Sequence, residues 1–76
     1  MQKVVIIGAS GFTGAELLRI CAAHPEFDVT AATGDSQAGT AVADLYPSLA
    51  AAYPNMVYVP YTDELVDEAD VVFLGL

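Results

Sequence analysis

The stretch Lys3–Gly14, KVVIIGASGFTG, decides how this chain folds. It begins as an apolar run of β-branched residues and continues into three glycines, Gly8, Gly11 and Gly14, which are separated by two residues each. The segment that follows, AELLRICAAH, has the composition of a helix. Strand, glycine-rich turn and helix in this order predict a parallel strand that turns sharply into a helix.

Each glycine has its own role in such a turn. Gly8 permits the tight turn, Gly11 lets an anion approach the backbone without a Cβ in the way, and Gly14 lets the helix pack closely on the strand. The free N–H groups of the first helical turn then point at a ligand above the end of the strand, and a pyrophosphate is the usual one. The motif therefore predicts a dinucleotide-binding site.

The residues between the glycines complete the predicted cofactor-binding loop. Ser10 and Thr13 offer hydroxyl donors near the pyrophosphate. Phe12 is placed to shield the nicotinamide side, or alternatively to pack against later parts of the chain. Arg19, further along the helix, is expected to pair with Glu16 at the surface.

Length and composition indicate part of a globular domain. The chain has 76 residues, of which 55% are hydrophobic and 16% charged, and it has no apolar run long enough to cross a membrane. A βαβ unit takes about 30 residues, so residues 1–76 are predicted to form about half of a doubly wound domain. We expect such a half-domain to be marginally stable or prone to aggregate by itself.

The charge balance excludes several classes of partner. Two basic residues, Lys3 and Arg19, stand against ten acidic ones, which gives a net charge of −8. This disfavours nucleic acid and anionic membrane surfaces as partners.

Cysteine content and the N-terminus bear on location. The single cysteine, Cys21, excludes an internal disulfide framework, and no signal peptide is apparent, so a cytoplasmic location is expected. No metal site is predicted.

The periodicity of the remaining sequence predicts an α/β fold with a Rossmann-like parallel sheet, the incomplete N-terminal part of a doubly wound dinucleotide-binding domain. A helix over Phe12–Ala23, ended by Pro25, is expected to bury Leu17, Leu18, Cys21 and Ala22. The other predicted elements are strands at Val4–Ile7, Phe27–Thr33, Val57–Val59 and Asp70–Leu76, a short helix near Thr40–Leu45, and a helix capped by Thr62 or Asp63 that runs to Glu68.

Several segments together resemble the N-acetyl-gamma-glutamyl-phosphate reductase family. The glycine motif continues into a TGAELLR-like helix and an HPE turn at His24–Glu26. A Ser-x-Ala-Gly loop at Ser36–Gly39, a YPSL segment at Tyr46–Leu49 and the strand DVVFLGL at Asp70–Leu76 follow in the order of that family. The resemblance covers essentially the whole chain.

The resemblance implies an NADPH-dependent reduction of an acyl phosphate, N-acetyl-glutamyl phosphate, to an aldehyde in arginine biosynthesis. It also implies a homo-oligomer at full length, with the catalytic cysteine and histidine in a later domain that this chain lacks. No catalytic residue is therefore expected here. Cys21 is predicted to be a small buried hydrophobe, since it faces the sheet and has no basic group nearby.

Cofactor choice depends on the end of the second strand. An acidic residue about 20 positions after the glycines normally accepts the ribose 2′-OH of NAD, and Asp35 is near that place. However, Thr33 closes the strand, so the hydroxyls of Thr33 and Ser36 are candidates to hold a 2′-phosphate. The resemblance implies NADP, although Gln37 stands where an arginine is expected; Asp35 as a solvated turn residue remains the alternative.

Other readings stay open at this point. Aspartate-semialdehyde dehydrogenases and lysine-pathway reductases perform the same chemistry on other acyl phosphates. Extended short-chain epimerases carry a similar GASGFIG motif, but the HPE turn and the Ser-x-Ala-Gly loop point away from them. From a different class, a non-catalytic nucleotide-binding module would use the same loop.

Overall fold

A computed structural model describes residues 1–75 as a three-stranded parallel sheet in the order β2-β1-β3, with helices between the strands. This confirms the predicted α/β class and the parallel sheet. The elements are β1 (Gln2–Ile7), α1 (Phe12–Ala23), β2 (Phe27–Ala32), α2 (Val42–Leu45), a 3-10 turn (Pro47–Leu49), α3 (Asp63–Glu68) and β3 (Val71–Leu74).

Strand β1 is the central strand, paired with β2 on one side and β3 on the other, and its apolar residues are buried. Val4, Val5 and Ile6 are almost completely buried, as a strand with neighbours on both sides requires. Val4 and Ile6 share a core cluster with Leu18 and Cys21 of α1. Both crossovers return the chain parallel to β1, so the carboxyl ends of all three strands lie at one edge of the sheet.

Helix α1 has the predicted bounds, and its buried stripe differs by one residue. Leu18 and Cys21 are buried and Leu17 is half-buried, but Ala22 is exposed. The stripe runs through Gly14, Leu18 and Cys21, at intervals of four and three residues that keep one face. Ala22 lies about 100° further around the helix axis than Cys21, which turns it away from the sheet.

The HPE turn ends α1 with an aromatic stack. The ring of His24 lies on that of Phe27, with centroids 4.0 Å apart and planes 14° from parallel. Its Nδ1 accepts a hydrogen bond from the N–H of Glu26 at 3.1 Å. His24 is exposed, and its stacking on Phe27 joins the end of the helix to the start of β2.

The predicted strand at Val57–Val59 does not form. Val57 makes an isolated antiparallel bridge with Ala41, and Val59 makes an isolated parallel bridge with Thr33. The segment changes partners within three residues, and Pro60 cannot donate to a longer ladder. Strand β2 correspondingly ends at Ala32, one residue before the predicted end.

The last helix has the predicted bounds, Asp63–Glu68, whereas the last strand is shorter than predicted. Helix α3 has Thr62 at its N-cap position, but the side chain makes no capping hydrogen bond. Strand β3 covers Val71–Leu74 of the predicted Asp70–Leu76, whose last residue lies outside the described part of the chain. Its two faces differ: Val71 and Phe73 are half-buried against the core, whereas Val72 and Leu74 are 37% and 65% exposed.

Candidate cofactor-binding site

The glycine loop connects β1 to α1 at the edge where the strands end. Gly8 has φ 72°, a left-handed conformation that suits glycine, so the predicted tight turn is confirmed. A Cβ at Gly14 would lie 2.4 Å from the Cα of Ala9, so the predicted close packing of helix on strand is confirmed as well. Both glycines are required by the course of the backbone.

Three of the four peptide groups between Ile7 and Gly11 are held by residues distant in sequence. The N–H of Gly8 donates to Oγ1 of Thr33 at 2.9 Å, and the N–H of Ala9 donates to the carbonyl of Thr33 at 2.7 Å. The carbonyl of Ser10 accepts a hydrogen bond from the hydroxyl of Tyr46 at 2.9 Å. The loop is thus fixed in shape before the helix begins.

The next four N–H groups are free. Those of Gly11, Phe12, Thr13 and Gly14 have no acceptor within residues 1–75, and the first helical hydrogen bond runs from Ala15 to the carbonyl of Gly11 at 3.0 Å. A Cβ at Gly11 would meet no atom within 4 Å, so the space beside it is open. Free amides at a helix N-terminus beside open space suit an anionic group such as a diphosphate.

The predicted contact residues fall into an exposed and a buried set. Phe12 is 80% exposed and Thr13 is also exposed, whereas Ser10 is half-buried beside Gly34. Ser36 is exposed in the turn after Gly34. Thr33 is only 3% exposed and its hydroxyl already accepts the Gly8 hydrogen bond, so the structure gives it a supporting role in the loop. Contacts of these residues with a cofactor stay predictions.

Gly75 packs closely against the glycine loop. A Cβ at Gly75 would lie 2.9 Å from both the Cα of Gly14 and the carbonyl oxygen of Gly8. The group that approaches is therefore the backbone of the glycine loop. This contact joins the end of β3 to the loop.

The sequence reasoning missed two residues that shape the loop. A Cβ at Gly34 would meet Cβ of Ser10 at 3.1 Å, so this glycine leaves room for the loop. Tyr46 supplies the hydrogen bond to Ser10 from the segment between α2 and the 3-10 turn. Only the YPSL resemblance drew attention to that segment, and no local pattern shows where the hydroxyl reaches.

Cys21, Arg19 and Glu16 have structural roles. Cys21 is 2% exposed, and burial raises the pKa of its thiol, which confirms its predicted role as a buried small residue. Arg19 and Glu16 form the predicted surface pair at 2.8 Å. Within residues 1–75, no cluster of side chains is arranged to bind a metal ion, and no helix is long and apolar enough to cross a membrane.

Comparison with known proteins gives a consistent picture. The family described as "Semialdehyde dehydrogenase, NAD binding domain" matches residues 3–76. N-acetyl-gamma-glutamyl-phosphate reductases of Neisseria meningitidis and Moorella thermoacetica are 51% and 48% identical over 96% and 100% of this chain. The chain spans only about a fifth of their length, 21% and 22%.

A solved structure is similar as well. The chain superposes on the aspartate semialdehyde dehydrogenase of Candida albicans, determined with NADP, with a TM-score of 0.81 and 28% identity. The match covers all of this chain and 23% of that enzyme.

Proposed function

Because the chain belongs to the semialdehyde dehydrogenase NAD-binding domain family, we propose that it is the cofactor-binding part of an NADPH-dependent N-acetyl-gamma-glutamyl-phosphate reductase. The observation that carries the proposal is the set of free N–H groups at Gly11–Gly14, next to open space at Gly11. Relatives up to 51% identical are named N-acetyl-gamma-glutamyl-phosphate reductase, which favours N-acetyl-glutamyl phosphate over aspartyl phosphate as the substrate.

The cofactor is NADP, and its diphosphate lies against the free amides. The chain's net charge of −8 gives no general attraction for a polyanion, so local dipoles must supply the binding free energy. Ser10 and Thr13 add hydroxyl donors, and Ser36 together with the turn after Thr33 holds the 2′-phosphate. When bound, the cofactor supplies hydride.

The rest of the reaction belongs to other parts of a longer protein. Residues 1–76 are a partial dinucleotide-binding domain, and the catalytic cysteine and histidine come from a later domain. The substrate is a small molecule, N-acetyl-glutamyl phosphate, and the enzyme is a cytoplasmic homo-oligomer. The role of this chain is to bind the nicotinamide nucleotide and orient it.

Two measurements on the full-length protein test the proposal. The reaction is run in reverse, with a semialdehyde and phosphate as substrates. With N-acetyl-glutamate semialdehyde, the initial rate of NADP reduction should exceed that of NAD reduction. The rate of NADP reduction should also be higher with N-acetyl-glutamate semialdehyde than with aspartate semialdehyde. Higher initial rates with NAD would refute the cofactor assignment. Higher rates with aspartate semialdehyde would refute the substrate.

The second test places a carboxylate on the loop. Gly11→Asp puts a negative charge where the diphosphate is proposed to lie, so NADPH affinity by fluorescence titration should fall at least tenfold. Ala51→Asp adds the same charge at an exposed position outside the loop and should bind NADPH normally. Equal affinities of the two variants would contradict the site.

A further inference from the structure

The shape of the glycine loop depends on one side chain from outside the strands that flank it. Thr33 ties the first two peptide groups, at Gly8 and Ala9, from the neighbouring strand end. Within residues 1–75, the Ser10–Gly11 peptide group is tied only by Tyr46, whose hydroxyl donates to the carbonyl of Ser10 at 2.9 Å. The hydrogen bond at Tyr46 is thus the last restraint before the free N–H groups begin.

Tyr46 is itself held in place. Its N–H donates to the carbonyl of Val42 at 2.8 Å, and its carbonyl accepts from the N–H of Leu49 at 2.9 Å. Pro47 restricts the backbone of Tyr46, the residue before it, and Leu49 is buried in the core. The phenol therefore reaches the loop from a backbone fixed on both sides, which lowers the entropic cost of its hydrogen bond.

Peptide geometry transmits this restraint to the free amides. The described chain has no cis peptide bond, and in a trans peptide the carbonyl and the following N–H point in opposite directions. Fixing the Ser10 carbonyl toward Tyr46 therefore fixes the Gly11 N–H away from Tyr46. Without the hydroxyl, no hydrogen bond within residues 1–75 orients the Ser10–Gly11 peptide, so more of its orientation must be fixed when an anion binds.

We propose that Tyr46 is a positioning residue for the dinucleotide, whose hydroxyl presets the Ser10–Gly11 peptide so that the loop amides receive the diphosphate. This inference rests on the proposed function, because it assigns a supporting group to the same site. Tyr46 does not touch the cofactor; it acts through the loop.

The test compares two ligands in the full-length protein carrying Tyr46→Phe, which removes only the hydroxyl. NADPH contains the diphosphate, whereas adenosine 2′-monophosphate has the 2′-phosphate without it. The Kd of NADPH should rise roughly fivefold, as the loss of one ordinary hydrogen bond gives. The Kd of adenosine 2′-monophosphate should stay unchanged. In steady state, the KM for NADPH should rise with kcat unchanged.

Tyr53→Phe is the matched control. The Tyr53 hydroxyl also donates to a backbone carbonyl, that of Leu18, but within the body of α1 and away from the loop. This variant should lose thermal stability and keep the NADPH affinity of the unaltered protein.

The outcomes separate the two proposals. An unchanged Kd of NADPH in Tyr46→Phe, or equal weakening of both ligands, would overturn the role of Tyr46 while leaving the proposed function intact. Failure of the unaltered protein to bind NADPH at all would instead overturn the proposed function.

Discussion

Gly11 and Gly14 belong to one motif, but they meet different neighbours. A Cβ at Gly14 runs into the backbone of Ala9, which has no flexible end to move aside. We expect Gly14→Ala to push α1 away from β1 and to lower the free energy of unfolding by about 1–3 kcal/mol. Chemical denaturation measures this change.

Gly11→Ala is the matched comparison, because its Cβ enters open space and its φ of −80° is accessible to any residue. The cost in stability should stay below about 1 kcal/mol, typical of a changed N-cap. If Gly11→Ala destabilises the protein as much as Gly14→Ala does, the contact between Gly14 and Ala9 is not what constrains the motif.

Because of Tyr53, we expect the free energy of unfolding to depend on pH in the alkaline range. Burial, with a smaller contribution from Cys21, raises the pKa of Tyr53 from 10.0 to about 12. Between these values the unfolded chain releases the phenolic proton while the folded chain keeps it, so stability falls as pH rises. The loss should be on the order of 2–3 kcal/mol.

Urea unfolding between about pH 9 and pH 12 measures this dependence. In Tyr53→Phe the decline should become shallower without vanishing, because burial also raises the pKa values of Cys21 and Tyr58. A decline equally steep in both proteins would contradict the assignment to Tyr53.

Single residues were predictable where the cause is local. The turn at Gly8, the pair of Arg19 with Glu16, and the burial of Cys21 follow from spacing within one segment. The roles of Tyr46 and Gly75 do not, because each depends on a contact with the loop from a distant part of the chain. Local sequence patterns carry no signal for such contacts.

Among the elements, predictability follows the strength of the boundary signals. Helix α1 begins after the glycines and ends before Pro25, and its predicted bounds are those observed. The segment Val57–Val59 has the composition of a strand, yet its two bridges lead to different partners. Composition indicates that a segment is extended but not which neighbour it pairs with.

Strand β3 is the element most exposed to association. It pairs with β1 on one side, no strand of residues 1–75 pairs with its other edge, and Val72 and Leu74 are exposed. In the isolated 76-residue polypeptide, we expect Val72→Thr together with Leu74→Thr to reduce self-association, since less apolar surface remains at a free edge. Sedimentation velocity at several concentrations measures the change.

Ile20→Thr is the control for that experiment, because it removes an exposed apolar side chain from α1 instead of the strand. It should leave the association unchanged. If it reduces association as much as the β3 variant does, the contact is not made by the strand.

At the scale of the whole molecule, repulsion within the net charge of −8 lowers the free energy of unfolding. Lys3 and Arg19 are the basic residues, and Arg19 is already paired with Glu16, so the acidic residues mainly repel one another. Screening this repulsion should raise the melting temperature of the 76-residue polypeptide as NaCl increases from about 10 to 200 mM.

Choline chloride at the same ionic strength separates screening from binding of sodium. The two salts should raise the melting temperature equally. A melting temperature that falls with salt would show that attractive ion pairs, rather than repulsion, dominate the electrostatics of the fold.

The contact of Gly75 with Gly8 and Gly14 has a consequence for biosynthesis. The first fourteen residues leave the ribosome early, yet Gly75, against which their turn packs, is translated near the end of the 76 residues. We therefore expect the glycine loop of a nascent polypeptide to reach its final shape only after the third strand has emerged from the exit tunnel.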